Sequence, residues 1–385
     1  MSRNGSPGVS KSGGAEPTAP PIGRVQNLPP AVCGRVIVAG FYPPPFGGEA
    51  IHVRQLARFL RERGFAVDIL NLNRRAAPSD EYRSARSQIG RLRMLWSQPT
   101  RSAVLHLHAI GHNWMSWVII AAVALTVRLK GITAAITVHS GLFPDYVHAF
   151  GPMRRRLGGW LLRSFRRVVC VNPDIARAVR RLGIPAPRSV VISPFLGVPA
   201  GLMLSAADGA VIDRFDPLLV AVGGGDRDPE CGLPIVAYAC KELVRSNPTL
   251  GVLFLGARVG RTIGPLIEQL GLSERAVCLG EVSHERCLSL LRAADIVVRS
   301  TFADGDSLTV REALGLGVPV VASATDYRPN GVVLFRKGDR ADLERKLDRV
   351  IHERARPGAI VVASLDVEAA LRRLYLDLTQ PGSDA

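Results

Sequence analysis

Ala294-Asp-Ile-Val-Val-Arg-Ser-Thr-Phe-Ala-Asp-Gly-Asp-Ser-Leu-Thr-Val-Arg-Glu-Ala-Leu-Gly-Leu-Gly-Val-Pro-Val-Val-Ala-Ser323 is the stretch on which the reading of this fold turns. The apolar, β-branched run at 296–299 predicts a strand, Gly305 sits in a polar loop, the segment 308–316 predicts a helix, and 318–322 predicts a second strand. Asp306 or Ser307 can cap that helix, and Gly315 and Gly317 fall where it has to stop ahead of Pro319. Strand, helix and strand in this order make a βαβ unit, so the fold class is α/β with parallel sheets. The helix begins with unpaired backbone N–H groups and the positive end of a dipole, a natural seat for an anion.

Two carboxylates bracket that seat. Asp304 precedes the helix, and Glu312 lies eight positions on, about one turn inside it. Both can face the cleft at the carboxyl end of the strand while the amides of Gly305, Asp306, Ser307 and Leu308 hold a phosphate. A diphosphate flanked by two hydroxyl-accepting carboxylates suits a nucleotide-sugar. The plainer alternative is a capped helix with two exposed acids. In spacing and context the stretch resembles the Glu-x7-Glu motif of the retaining glycosyltransferases of family 4, group 1 type, with Asp304 where that family has Glu. The resemblance implies the GT-B fold, two Rossmann-like domains facing a cleft. It also implies roles: Asp304 accepts from hydroxyls of the donor sugar and Glu312 from the ribose.

A chain of 385 residues is long enough for two domains that each bury a core. The expected division is a disordered tail over 1–31, an N-terminal acceptor domain over 32–200 and a C-terminal nucleotide-sugar domain over 201–385, with the final helix packing back across the first domain. The formal charge of +16 points to an acidic partner: nucleotide phosphate, anionic lipid or nucleic acid. Nucleic acid is the weakest of these, because there is no binding motif and the aromatic content is only 6%. Cys33, Cys170, Cys231, Cys240, Cys278 and Cys287 form no Cys-x-x-Cys pair, so they read as buried thiols of a reducing, cytoplasmic compartment. The first thirty or so residues lack the apolar core of a signal peptide. The longest apolar run, 114–127, falls short of the roughly 20 residues that span a bilayer and reads as a buried helix.

The first half opens with a strand at 34–41, a Pro-rich loop ending in Gly47 and Gly48, and a helix at 49–63. The double glycine lets the backbone approach a ligand closely, and a tight ligand-free turn is the alternative. The Gly-x-Gly-x-x-Gly spacing of a dinucleotide site is missing, which disfavours a dehydrogenase. The same strand, loop and helix open the family 4 enzymes. After a strand at 66–72, the basic segment 74–101 has weak periodicity and reads as holding a mobile loop. His106, His108 and His112 lie close together without a carboxylate, which favours a structural or polar-lining role over a metal site. His139 lies at the end of the strand at 134–141, well placed for a ligand; the resemblance implies that it contacts the donor sugar. Segment 153–188 runs from Arg154 to Arg188 through many arginines and a lone acid, Asp174. Trp160, Leu161, Leu162 and Phe165 interleave with them as in a basic amphipathic helix. Such a surface suits an anionic membrane on the inner face, and a solvated helix face is the alternative.

In the second half the strand at 218–222 leads into Gly223, Gly224 and Gly225. Typical family members place an Arg and a Lys in the following loop to neutralise the donor diphosphate, whereas this chain has Asp226 and Cys231 there. Arg227 and Arg299 are the candidate replacements, with the glycine amides beside them. His284 reads as a surface residue after the Ser283 cap. The resemblance covers positions 34 to about 353. It implies a retaining glycosyltransferase that moves a sugar from a nucleoside diphosphate sugar to a glycan or lipid-linked acceptor, without a protein-bound metal. A non-catalytic GT-B subunit of a glycan-assembly complex is the alternative that the missing cations suggest.

Overall fold

The computed structural model describes residues 34–97, 103–223, 232–353 and 364–380. The expected tail and the loop carrying Gly224, Gly225, Asp226, Arg227 and Cys231 lie outside the described residues.

Two parallel sheets organise the chain. The first contains β1 (Arg35–Gly40), β2 (Ala66–Asn71), β3 (Arg83–Ser84), β4 (Ala103–Ala109), β5 (Thr133–Val138), β6 (Arg167–Cys170) and β7 (Ser189–Val191), in the order β3-β2-β1-β4-β5-β6-β7. The second contains β8 (Leu218–Val222), β9 (Gly251–Leu255), β10 (Ala276–Gly280), β11 (Ile296–Arg299), β12 (Val320–Ser323) and β13 (Val332–Phe335), in the order β10-β9-β8-β11-β12-β13. Every described pairing is parallel. Parallel neighbours need crossovers, which the helices supply. In the first half these are α1 (Gly48–Glu62), α2 (Gln88–Trp96), α3 (Trp114–Lys130), α4 (Phe143–His148), α5 (Pro152–Leu162) and α6 (Pro173–Arg181). Then follow α7 (Ala206–Ile212), α8 (Leu233–Leu243), α9 (Val259–Thr262), α10 (Gly264–Gln269), α11 (His284–Ala293), α12 (Leu308–Gly315), α13 (Arg340–Glu353) and α14 (Ser364–Thr379).

Helices on both faces of each sheet explain why the strands read as apolar runs rather than alternations. In β1, Ile37 and Ala39 join the core under α3, while Val36 and Val38 join the core under α1 and α14. The last helix belongs to this first body: Leu371, Leu374, Tyr375 and Leu378 are buried beside Val36 and Val38. Tyr375 Oη lies 2.6 Å from His106 Nδ1, and Arg63 pairs with Glu368 at 2.6 Å.

Three local expectations are corrected. Segment 74–101 holds more than a loop, because Ser87 Oγ accepts from the Gly90 N–H at 2.9 Å and starts α2, anchored by the buried Met94 and Leu95. Two adjacent anchors are too few to set up a periodic signal. The helix α3 is not buried all round. It packs Ile120, Val123, Ala124 and Val127 inward and leaves Trp114, Val118, Leu125 and Leu129 exposed, a division that an all-apolar sequence cannot display. The basic amphipathic helix around Trp160 is shorter than its interleaved pattern suggests: α5 stops at Leu162, and Leu161, Leu162 and Phe165 are core residues rather than part of an exposed apolar face.

In each sheet the direction of strand progression reverses once, between β1 and β4 and between β8 and β11. A crevice opens at the carboxyl ends of the strands at such a switch point, and this is where open α/β sheets bind ligands. Residues that follow β1, β5, β8 and β11 line one common cleft, so the two crevices face each other.

Candidate active site

The cleft between the two sheets has a volume of about 640 Å³. Gly47, Gly48 and Glu49 from the start of α1 and His139 from the end of β5 line it on one side. Arg299, Asp304 and the residues from Gly305 to Thr309, with Glu281, His284 and Glu312, line it on the other. Thus His139, Gly47, Gly48, Arg299, Asp304, Gly305, Asp306, Ser307, Leu308 and Glu312 surround one space, while Gly224, Gly225 and Arg227 fall outside the described residues. A Cβ added to Gly47 or Gly48 would meet nothing within 4 Å. That open space adjoins the N-terminus of α1 and leaves room for a group to approach its amides.

The N-terminus of α12 forms the opposite wall. Ser307 caps it, accepting from the Val310 N–H at 3.4 Å. Asp306, the other capping candidate, is committed elsewhere: both its oxygens accept from Arg311 Nε at 2.7 Å, and Ser193 Oγ donates to it at 2.8 Å. Burial pushes the Asp306 carboxyl up, with Arg311 opposing. Its side chain fastens α12 to the β7 end of the first domain, and only its backbone amide is left to face a ligand.

Glu312 is 2% exposed, and its Oε1 lies 2.7 Å from His284 Nε2. His284 Nδ1 lies 3.3 Å from Arg54 Nη2, a cation on α1 that can only donate. Nδ1 is therefore the acceptor and Nε2–H the donor to Glu312. This corrects the surface placement of His284, which is buried. The cap at Ser283 turns the first residue of α11 toward α12 instead of toward water. Arg54 also pairs with Glu285 at 3.0 Å, so α1 grips α11 across the cleft.

Asp304 sits in a cage. Arg299 donates to it through Nη2 at 2.8 Å and Nε at 3.1 Å, Arg328 Nη1 at 2.5 Å and Thr301 Oγ1 at 2.6 Å. Burial would raise this carboxyl, but the Arg299 and Arg328 guanidinium groups hold it well below the usual carboxylate range. Sequence reading missed Arg328, which follows β12 in a stretch without periodicity. The usable signal was its position just beyond the carboxyl end of a parallel strand.

The two domains touch at this point through backbone. A Cβ on Gly305 would lie 1.8 Å from the His139 carbonyl oxygen, and one on Gly141 would lie 2.2 Å from that of Asp304. Asn172 adds a side-chain hydrogen bond to the Gly305 carbonyl. Only glycine fits at either position.

Below His139 lies a stack of imidazoles. His108 Nδ1 is 3.0 Å from His139 Nε2, and the His52 ring stands edge-on to both at 5.2 Å. Burial, reinforced by the neighbouring histidines, pushes His108 and His139 well below the usual histidine value, and burial alone lowers His52 to about 4, so all three are neutral near pH 7. Among the described residues His52, His108 and His139 form the grouping that could hold a metal, each with a nitrogen within 4.8 Å of the others. The sequence cluster of His106, His108 and His112 is thus re-sorted. His106 stays on the His108 side of β4, its ring 4.5 Å from that of His108, but its nitrogens are taken by Tyr375 and Thr137, and His52 arrives from α1. Burial raises Glu49, beside them, to about 7, with the Phe41 N–H opposing.

Cys170 and Cys240 are buried free thiols, and Cys278 and Cys287 are free and partly buried.

The two halves match separate family models. Glycosyltransferase Family 4 matches residues 46–196 and Glycosyl transferases group 1 matches residues 216–353. A D-inositol 3-phosphate glycosyltransferase of Nocardia farcinica is 29% identical over 177 residues, 38% of this chain and 39% of the relative. One of Mycolicibacterium smegmatis is 33% identical over 91 residues, 22% of this chain and 21% of the relative. These alignments span well under half of the relatives' length. Among solved structures, sucrose-phosphate synthase of Thermosynechococcus elongatus superposes with a TM-score of 0.64 at 20% identity, covering 89% of this chain and 96% of the other. Anabaena HepE in complex with UDP-glucose gives 0.64 at 15% identity, covering 90% and 98%. At these identities the likeness shows the fold alone, and that fold is GT-B.

Proposed function

Since the chain belongs to the group 1 glycosyltransferases of family 4, we propose that it is a retaining enzyme that transfers a sugar from a nucleoside diphosphate sugar to a glycan or lipid-linked acceptor in cell-surface polysaccharide or glycoconjugate synthesis. The observation that carries this reading is the N-terminus of α12 opening into the interdomain cleft, flanked by Asp304 and Glu312. In it the amides from Gly305 to Leu308 hold the diphosphate, with the positive end of the helix behind them. Glu312, oriented by His284, accepts from the ribose, and the Oδ1 edge of Asp304 accepts from the sugar. His139 reaches the donor from the other domain. No side chain is assigned as nucleophile or base. In the front-face reaction the leaving diphosphate takes the acceptor's proton, and the protein contributes position and charge. No resident metal is assigned. The UDP and UDP-glucose complexes of HepE make uridine diphosphate sugars the first donors to test.

Titration with a panel of nucleotides and nucleotide-sugars, followed by assay of donor turnover, tests this. Glu312→Ala is expected to abolish nucleotide-sugar binding and transfer, and full activity in that variant sinks the assignment. A second reading, a non-catalytic GT-B subunit of a glycan-assembly complex, draws on the caged state of Asp304, whose oxygens already accept four donors. Absence of binding to any nucleotide in the panel supports that second reading.

A lipid-linked acceptor would be met at an anionic membrane surface, and the reading places the protein on the cytoplasmic side, peripherally bound. Among the described residues no helix is long and apolar enough to cross a membrane.

A further inference from the structure

We infer that the outer face formed by α2, α3 and α5 seats the protein on an anionic lipid bilayer. The inference deepens the lipid-linked form of the proposed function, but its evidence lies away from the cleft. The exposed residues Trp114, Val118, Leu125 and Leu129 recur at i, i+4, i+11 and i+15, one stripe along α3 about 22 Å long. The helices α2 and α5 both contact α3 and widen the stripe. One adds Leu92 and Trp96 and the other Met153, Leu157 and Trp160, with Met153 84% exposed. Soluble monomers rarely leave so continuous an apolar face in water.

The charges identify what covers it. The sequences of α2, α3 and α5 contain no Asp or Glu. Arg128 lies 4.1 Å from the exposed Trp160 ring and Lys130 5.1 Å from the exposed Trp96 ring. Arg93, Arg154, Arg155 and Arg156 are exposed on the same helices. Indoles beside cations, on helices without carboxylates, match the boundary between acyl chains and anionic headgroups. A protein partner would favour a core depleted of charge. Several of the remaining arginines of the segment 153–188 have partners within the chain. Arg166 and Arg167 pair with Asp377, Arg177 with Asp174, and Arg163 donates to the Gly183 carbonyl. Since α3 has 17 residues, the protein lies on the bilayer rather than through it.

All four tryptophans of the chain, Trp96, Trp114, Trp117 and Trp160, lie on these three helices. Their emission therefore reports on this face. The full chain is mixed with vesicles of phosphatidylcholine containing phosphatidylglycerol, with phosphatidylcholine vesicles alone, and with vesicles whose acyl chains are brominated. The expected result is co-sedimentation with the anionic vesicles, a blue shift, and quenching by bromine. Trp114→Ser with Leu129→Ser should lower partitioning about tenfold. Arg154→Glu with Arg156→Glu should lower it by about the same factor and remove most of its salt dependence. Circular dichroism melts matching the wild type confirm that the variants fold. No emission change on anionic vesicles, equal binding to neutral vesicles, or unchanged partitioning of both double variants overturns the inference. So does a wild-type dimer without lipid binding that Trp114→Ser with Leu129→Ser dissociates. Donor binding in the same samples separates the two readings: a chain that binds the donor but no vesicles loses only this one.

Discussion

Replacing Asp304 with Asn removes one negative charge from between two guanidinium groups while keeping the shape of the side chain. The side chain of Arg328 is 3% exposed and that of Arg299 17%, so neither cation has much water to turn to. Removing one partner of a buried pair costs about 3–5 kcal/mol, because the charge left behind is uncompensated. The lower end applies here, since Arg299 keeps its hydrogen bond to the Val222 carbonyl at 2.9 Å and Arg328 its bonds to Ser323. A loss of about 3 kcal/mol is a large share of the roughly 5–15 kcal/mol of a typical native protein. The acid limb gives an independent check. A carboxylate whose folded pKa is depressed contributes stability above its unfolded value, 3.8, and that contribution is lost as pH falls from there toward the folded value. Each unit of depression is worth about 1.4 kcal/mol. Urea unfolding followed by circular dichroism, near neutral pH and again between about pH 4 and pH 2, should show a steep fall for the wild type and a shallower one for D304N. Equal stability near neutral pH, or identical acid slopes, refutes the cage as described.

Other perturbations test separate contacts. His284→Ala deprives Glu312 of its donor and should raise the donor KM about tenfold or more while moving kcat less, readable by steady-state kinetics with a uridine diphosphate sugar. Gly305→Ala introduces a Cβ into the His139 carbonyl and should force the domains apart, lowering transfer and enlarging the radius of gyration in small-angle scattering; a fully active, equally compact variant contradicts the tight approach. Tyr375→Phe leaves the buried His106 Nδ1 without its 2.6 Å partner and should cost about 1–3 kcal/mol of stability in thermal or denaturant unfolding, with donor binding unchanged.

The fold was legible because its signals are local. Apolar runs ended by Gly and followed by amphipathic segments recur along both halves, and such runs became parallel strands of the two sheets. What escaped depends on partners far away in sequence. Arg328 reaches Asp304 across 24 positions, and His284 reaches Glu312 across 28. Periodicity assigns a residue to an element and a face, not to a neighbour on another element. The exposed stripe of α3 escaped for the opposite reason: with apolar residues on every side, the sequence carries no moment that could say which side meets the sheet. The imidazole stack combines both difficulties, since His52 comes from a helix and His108 and His139 from two strand ends.

The return of α14 to the first sheet has a consequence for biosynthesis. Its Leu371, Leu374, Tyr375 and Leu378 complete a core whose other members, such as Val36 and Val38, were translated more than 300 residues earlier. The first domain therefore cannot finish folding while the second is still being made. It waits on the ribosome with one face of its sheet covered by α1 but not yet by the last helix, against the usual order in which N-terminal domains fold first. In this chain the second domain, whose described core groups lie wholly between Val198 and Ile351, can close before the first.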